Sequence, residues 1–133
     1  MFKPAINETK IHDRYRQYEF VDRADLAYAA ADLVIARAGI STITELAKLG
    51  KAAIIIPMPN SHQESNARYL YDHGAAIVAD QSDLGGENLT KVVKKIFFDA
   101  KLQNDLQKNI SKLMPLDSTQ RMLSQIQDLI HDR

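Results

Sequence analysis

The chain has 133 residues, near the common size of a single folding unit, and carries 17 basic against 17 acidic side chains. A formal net charge of zero leaves no electrostatic footprint for nucleic acid or for a strongly anionic surface. The absence of cysteine excludes disulfides and thiolate metal sites, and four histidines, His12, His62, His73 and His131, lack metal-ligand spacing, so neither a metal nor a cofactor is expected.

Residues 1–16 are polar and without periodicity, and read as a poorly structured arm ahead of one unit over 17–133. Residues 18–21 read as a short strand, and the alanine-rich stretch 24–31 as a short helix capped by Asp22. The apolar run 33–36 is the next strand, and it stops at Arg37-Ala38-Gly39. A helical pattern, Ile43, Leu46 and Ala47, then runs to Gly50, which reads as the glycine just past a helix end. Ser41 or Thr42 can cap the start of this helix, and Thr42 with Glu45 three residues later has the form of a capping box. A helix N-terminus following a strand and a glycine presents open backbone N–H groups and positive dipole charge, which makes it an anion site. Phosphate is the obvious occupant.

Residues 52–56 form a continuous apolar run rich in β-branched side chains, the pattern of a parallel strand covered on both faces. Pro57-Met58-Pro59-Asn60 forbids helix and leaves a loop at the strand's carboxyl end, where open α/β sheets bind ligands. The next helix opens with His62-Gln63-Glu64-Ser65-Asn66, and His73 is placed at its C-terminal end, as His131 is at the end of the last helix. Residues 75–79 give the last strand, followed by a Gly85-Gly86 loop. From Asn88 onward the character is helical. Leu89, Val92, Val93, Ile96 and Phe97 share one face, as do Leu102, Leu106, Ile110 and Leu113 in the following segment. Pro115 separates these from a last helix that starts near Asp117-Ser118 and turns Met122, Ile126, Leu129 and Ile130 inward. No apolar run approaches the roughly 18 residues needed to span a bilayer and no signal-peptide pattern opens the sequence, so a cytoplasmic location is expected. Alternating strands and helices argue for an α/β protein with a parallel sheet and flanking helices.

Several residues in order carry a family likeness: Ala31-Asp32-Leu33-Val34-Ile35, Arg37-Ala38-Gly39, Ser41-Thr42, Glu45, Pro57, His62-Gln63, Asn66-Ala67 and Gly74-Ala75-Ala76. The stretch resembles the C-terminal domain of family 28 glycosyltransferases, and the likeness extends from about Tyr18 to Ile130. It implies a Rossmann-like parallel sheet forming an incomplete C-terminal half of a GT-B glycosyltransferase. It also implies the donor-binding part of a hexosyltransferase that moves N-acetylglucosamine from UDP-GlcNAc to a lipid-linked acceptor in peptidoglycan precursor synthesis. Carried over by position, Gly39, Ser41 and Thr42 meet the diphosphate, Glu45 holds the ribose hydroxyls, and His62 and Gln63 face the donor sugar. The capping and ribose roles draw on the one carboxylate of Glu45. Asn66 either joins the sugar contacts or satisfies backbone groups near the helix start, and the main chain of Val21 pairs with uracil.

The loop between Pro57 and His62 is shorter than in many members of the family, and the family's glycine-rich loop has no counterpart before Tyr18. The likeness thus covers part of one domain of a two-domain enzyme. An N-terminal domain that binds the acceptor, and carries any peripheral membrane association at the inner face of the cell membrane, is the expected partner; the general base is expected there too. The strand 33–36 is then expected to expose an unpaired apolar edge. Other readings stay open: a noncatalytic subunit of a split transferase, a diacylglycerol galactosyltransferase, or a UDP-GlcNAc 2-epimerase.

Overall fold

The computed structural model describes residues 14–114 and 117–131. In chain order the elements are α1 (Ala24–Ala30), β1 (Val34–Ala36), α2 (Ile40–Leu49), β2 (Ala53–Ile55), α3 (Gln63–Asp72), β3 (Ile77–Val78), a 3-10 turn (Gln81–Asp83), α4 (Gly86–Phe98), α5 (Ala100–Lys112) and α6 (Ser118–His131). The strands form one parallel sheet in the order β1-β2-β3. Val34, Ile35 and Ala36 pair with Ala53, Ile54 and Ile55, and Ile54 and Ile55 pair with Ile77 and Val78.

The sheet separates two apolar layers because side chains alternate across a strand. On one face Val34, Ala53 and Ile55 pack with Ile43, Leu46 and Ala47 of α2 and with Ala67 and Leu70 of α3. On the other, Ala52 and Ile54 pack with Ile96 of α4, with Leu89, Val92 and Val93 beside them. Helix α5 joins the layers, giving Leu106 to the second and Ile110 to the first. Leu46, Ile54, Ile55, Leu70, Ile96 and Ile110 are sealed from solvent; burial of each such side chain stabilises by about 1.5–3 kcal/mol. All three residues of β2 are buried, as the unbroken apolar run required.

Helices α2 and α3 end alike. Gly50 and Gly74 both adopt left-handed backbone, with φ of 59° and 58°. In each case the glycine N–H and the next N–H bond back into the last turn: Gly50 to Ala47 and Lys51 to Leu46, Gly74 to Tyr71 and Ala75 to Leu70. This paired closure satisfies carbonyls that a helix end leaves open. It returns the chain to the next strand within a few residues. His73 sits at the end of α3 and His131 at the end of α6, each ring nitrogen against the carbonyl four residues back.

Several expectations are corrected. Residues 18–21 form no strand: Tyr18 and Phe20 are exposed, and no sheet edge receives them. Asp22 does not cap α1, whose N-cap is Arg23 without a side-chain bond; instead Arg23 pairs with Asp25 at 2.7 Å, and that hydrogen bond draws the Asp25 carboxyl down to about 2. Helix α4 starts at Gly86 with Gly85 as its N-cap, so of the expected Gly85-Gly86 loop only Gly85 lies outside the helix. Phe97 is exposed although Ile96 beside it is buried. On α6, Met122, Ile126, Leu129 and Ile130 all face solvent. The amphipathic stripe is present, but among the described residues no element packs against it. Residues 1–13 and Pro115 lie outside the described residues, and with them most of the N-terminal arm and His12.

Among the described residues β1 and β3 are the sheet's two edges, β1 as anticipated, and Ile35 of β1 is 44% exposed.

Candidate functional site

The carboxyl ends of β1 and β2 carry the site. β1 ends at Ala36 and Arg37, Ala38 and Gly39 lead into α2; β2 ends at Ile55 and a longer loop leads into α3. Gly39 is the N-cap of α2, in extended conformation and without any side-chain cap. The capping box expected at Thr42 and Glu45 is therefore absent. The helix starts three residues sooner than the box needs, which puts Ser41 and Thr42 inside its first turn. The N–H groups of Ile40, Ser41 and Thr42 precede the first backbone bond of the helix, Ile43 to Gly39, and have no carbonyl one turn back to meet. Glu45, exposed one turn further on, is left with no hydrogen bond or ion pair among the described residues.

Gly39 itself has ordinary backbone angles. A Cβ placed on it would meet only the Thr42 hydroxyl, at 3.8 Å. Neither conformation nor internal packing requires glycine there; what glycine leaves is open space beside the Thr42 hydroxyl and the helix N-terminus.

The start of α3 is capped more elaborately. Ser61 Oγ accepts from Gln63 N–H at 3.2 Å and donates to the Met58 carbonyl at 2.6 Å. Glu64 Oε1 reaches back to accept from Asn60 N–H at 2.8 Å. Ser61 and Glu64 have the S-x-x-E spacing but do not close a reciprocal capping box, since the Ser61 hydroxyl meets Gln63 N–H, the Glu64 carboxylate meets Asn60 N–H, and the N-cap is His62. Asn60 takes a left-handed φ of 56°, which asparagine tolerates better than most residues.

Three side chains lace the loops together. Gln63 Oε1 accepts from Ala38 N–H at 3.2 Å and from Met58 N–H at 3.1 Å. Asn66 Nδ2 donates to the Ala38 carbonyl at 2.9 Å, so of its two expected roles it takes the backbone one. Arg37 donates to the carbonyls of Ile56 and Pro57 at 3.2 and 3.1 Å and to Gln81 Oε1 at 2.7 Å. Arg37 and Gln81 escaped sequence reasoning as site residues; an arginine directly after an apolar run was the available signal. They help line an open groove with Ile35, Ala36, Ile56 and Leu84.

The structure thus brings Gly39, Ser41, Thr42 and Glu45 together at the start of α2, with Gln63 and Asn66 tied to the same loop. His62 is exposed at the head of α3. Val21 stands apart: it is 43% exposed in the segment before α1, and no backbone hydrogen bond joins it to these loops. No cluster of histidine and carboxylate side chains among the described residues could hold a metal ion.

A parallel α/β layer whose strand-end loops open onto helix N-termini is a Rossmann-like domain of the kind that forms the C-terminal half of GT-B glycosyltransferases. Residues 2–126 match the glycosyltransferase family 28 C-terminal domain, and the chain belongs to that family. A crystal structure of MurG from Acinetobacter baumannii superposes with a TM-score of 0.70 at 34% identity, over 82% of this chain and 32% of that one. Among curated proteins, the UDP-N-acetylglucosamine--N-acetylmuramyl-(pentapeptide) pyrophosphoryl-undecaprenol N-acetylglucosamine transferase of a Nocardioides species is 38% identical over 122 residues, 90% of this chain and 33% of the relative. The transferase of the same name from Christiangramia forsetii is 34% identical over 132 residues, 91% of this chain and 36% of the relative. The chain spans about a third of the length of the curated relatives it matches.

Proposed function

We propose that this chain is the donor-binding part of a UDP-GlcNAc-dependent hexosyltransferase that acts on a lipid-linked acceptor in peptidoglycan precursor synthesis. The observation that carries the reading is the start of α2: three N–H groups without helical partners, a glycine that nothing internal requires, and an exposed, unpartnered Glu45 one turn on. A diphosphate suits the N–H groups and the Thr42 hydroxyl, with Ser41 beside them. A ribose diol suits the Glu45 carboxylate, which accepts two hydrogen bonds. The sugar then lies toward the head of α3, where His62, Gln63 and Asn66 stand, and Val21 offers its main chain to uracil from the segment before α1.

In the reaction the acceptor hydroxyl oxygen bonds to the anomeric carbon as the bond from that carbon to the β-phosphate oxygen breaks. UDP leaves with the electron pair and the hydroxyl proton passes to a base. The dipole and N–H groups of α2 stabilise the charge that builds on the departing diphosphate. The base and the acceptor site are assigned to an N-terminal domain, which is also the part proposed to meet the inner face of the membrane.

Titration calorimetry of this chain with UDP, UDP-GlcNAc and UDP-galactose tests the reading. Saturable binding of UDP and UDP-GlcNAc, with UDP-galactose weaker, is the expected result. Absence of binding to all three, with and without an N-terminal domain from a relative added, overturns it in favour of a noncatalytic subunit.

A further inference from the structure

We infer that Gln63 is a positioning residue for the diphosphate loop, acting through its amide oxygen; the inference deepens the donor-binding reading and rests on it. Ala38 is wholly buried, so its N–H and carbonyl must find partners within the protein. It finds both on α3. The N–H goes to Gln63 Oε1 and the carbonyl to Asn66 Nδ2.

The orientation of each amide is fixed by its neighbours. Two backbone N–H groups, of Ala38 and Met58, face Gln63, so the atom between them is the oxygen; a carbonyl faces Asn66, so the atom toward it is the nitrogen. Both residues lie on the inward stripe of α3 with Ala67 and Leu70, and both are half-buried, while His62, Glu64 and Ser65 between and before them are exposed. The acceptor oxygen of Gln63 is therefore committed on both lone pairs before any ligand arrives.

The peptide so gripped is the one that leads into Gly39, the N-cap of α2. A change at Gln63 moves the N–H groups proposed for the diphosphate. A sugar contact and a positioning residue then differ in one measurable way: the first affects UDP-GlcNAc alone, and the second affects UDP as well.

Calorimetry with UDP and UDP-GlcNAc on wild type and Gln63→Ala, paired with amide hydrogen exchange of the unliganded proteins, separates them. Gln63→Ala should weaken UDP itself about tenfold, with UDP-GlcNAc weakened at least as much, and speed exchange at Ala38 and Met58, since a buried donor loses its acceptor. Gln63→Glu keeps an oxygen acceptor at both N–H groups and should restore their protection to near the wild-type level. Loss of UDP-GlcNAc affinity with UDP affinity unchanged overturns the inference. So does unchanged exchange at Ala38 and Met58 in Gln63→Ala. Failure of the wild type to bind either nucleotide removes the donor reading instead, and exchange then decides the positioning role by itself.

Discussion

Arg37 and Gln81 meet side chain to side chain at 2.7 Å across 44 positions of sequence, tying the end of the first strand to the turn that follows the third. The same guanidinium holds the carbonyls of Ile56 and Pro57, so one side chain spans the loops of all three strands. Arg37→Ala should lower stability by about 1–2 kcal/mol in urea unfolding, because three acceptors lose a charged donor but stay reachable by water. Arg37→Lys should recover only part of this, since an ammonium lacks the planar fork that reaches several acceptors at once.

Gly39→Ala separates folding from ligand binding. The site has an ordinary φ, and the added methyl meets only the Thr42 hydroxyl at 3.8 Å. Thermal unfolding should change by less than about 0.5 kcal/mol. UDP affinity should fall at least about tenfold, because the methyl occupies the approach to the open N–H groups. Unchanged affinity would place the diphosphate elsewhere.

Glu45→Ala should leave stability unchanged, since the carboxylate is exposed and caps nothing. If it holds a ribose diol through charge-assisted bonds worth about 1.5–3 kcal/mol, UDP affinity drops roughly ten- to a hundredfold. Uracil-free ribose 5-diphosphate should lose affinity to the same degree, which calorimetry can check.

The two left-handed glycines are not equivalent. Alanine at Gly50 has room, with the nearest atoms at 3.8 Å, and should cost about 1 kcal/mol from backbone strain alone. Alanine at Gly74 meets Asn109 Nδ2 at 3.3 Å, and that group donates to the Gly74 carbonyl at 3.1 Å. Gly74→Ala should therefore cost more than Gly50→Ala by about 0.5–1.5 kcal/mol in chemical denaturation, because the Asn109 bond must yield.

Ile110 and Ile126 occupy similar stripes on successive helices, yet one is wholly buried and the other 47% exposed. Ile110→Ala should destabilise by about 2–5 kcal/mol. Ile126→Ala should stay within about 0.5 kcal/mol in the same urea titration.

The elements read best from sequence were those fixed by local chemistry. Gly50 marks a helix end because few residues adopt its φ cheaply, and the unbroken run around Ile54 can only be a doubly covered strand. Where the outcome depends on a partner, sequence reading failed. Residues 18–21 have strand-like composition, but a strand needs a neighbouring edge. The stripe of α6 states that the helix is amphipathic without stating what covers it. The capping box is subtler: Thr42-x-x-Glu45 and Ser61-x-x-Glu64 have the same form, yet neither closes as a box, because neither Thr42 nor Ser61 is the N-cap of its helix. At α2 the helix start is set by Gly39 and the grip on Ala38, contacts that reach across 25 and 28 positions. At α3 it is set by the short loop itself.

Among the described residues β1 has one neighbouring strand, and the outer row of its N–H and carbonyl groups faces none. With Ile35 bare beside that row and the apolar side of α6 open, the isolated chain carries adhesive surface on more than one side. Its behaviour in solution is then set by concentration as much as by temperature. Dilute samples should report the properties of the folded unit, and concentrated ones should report encounters between units.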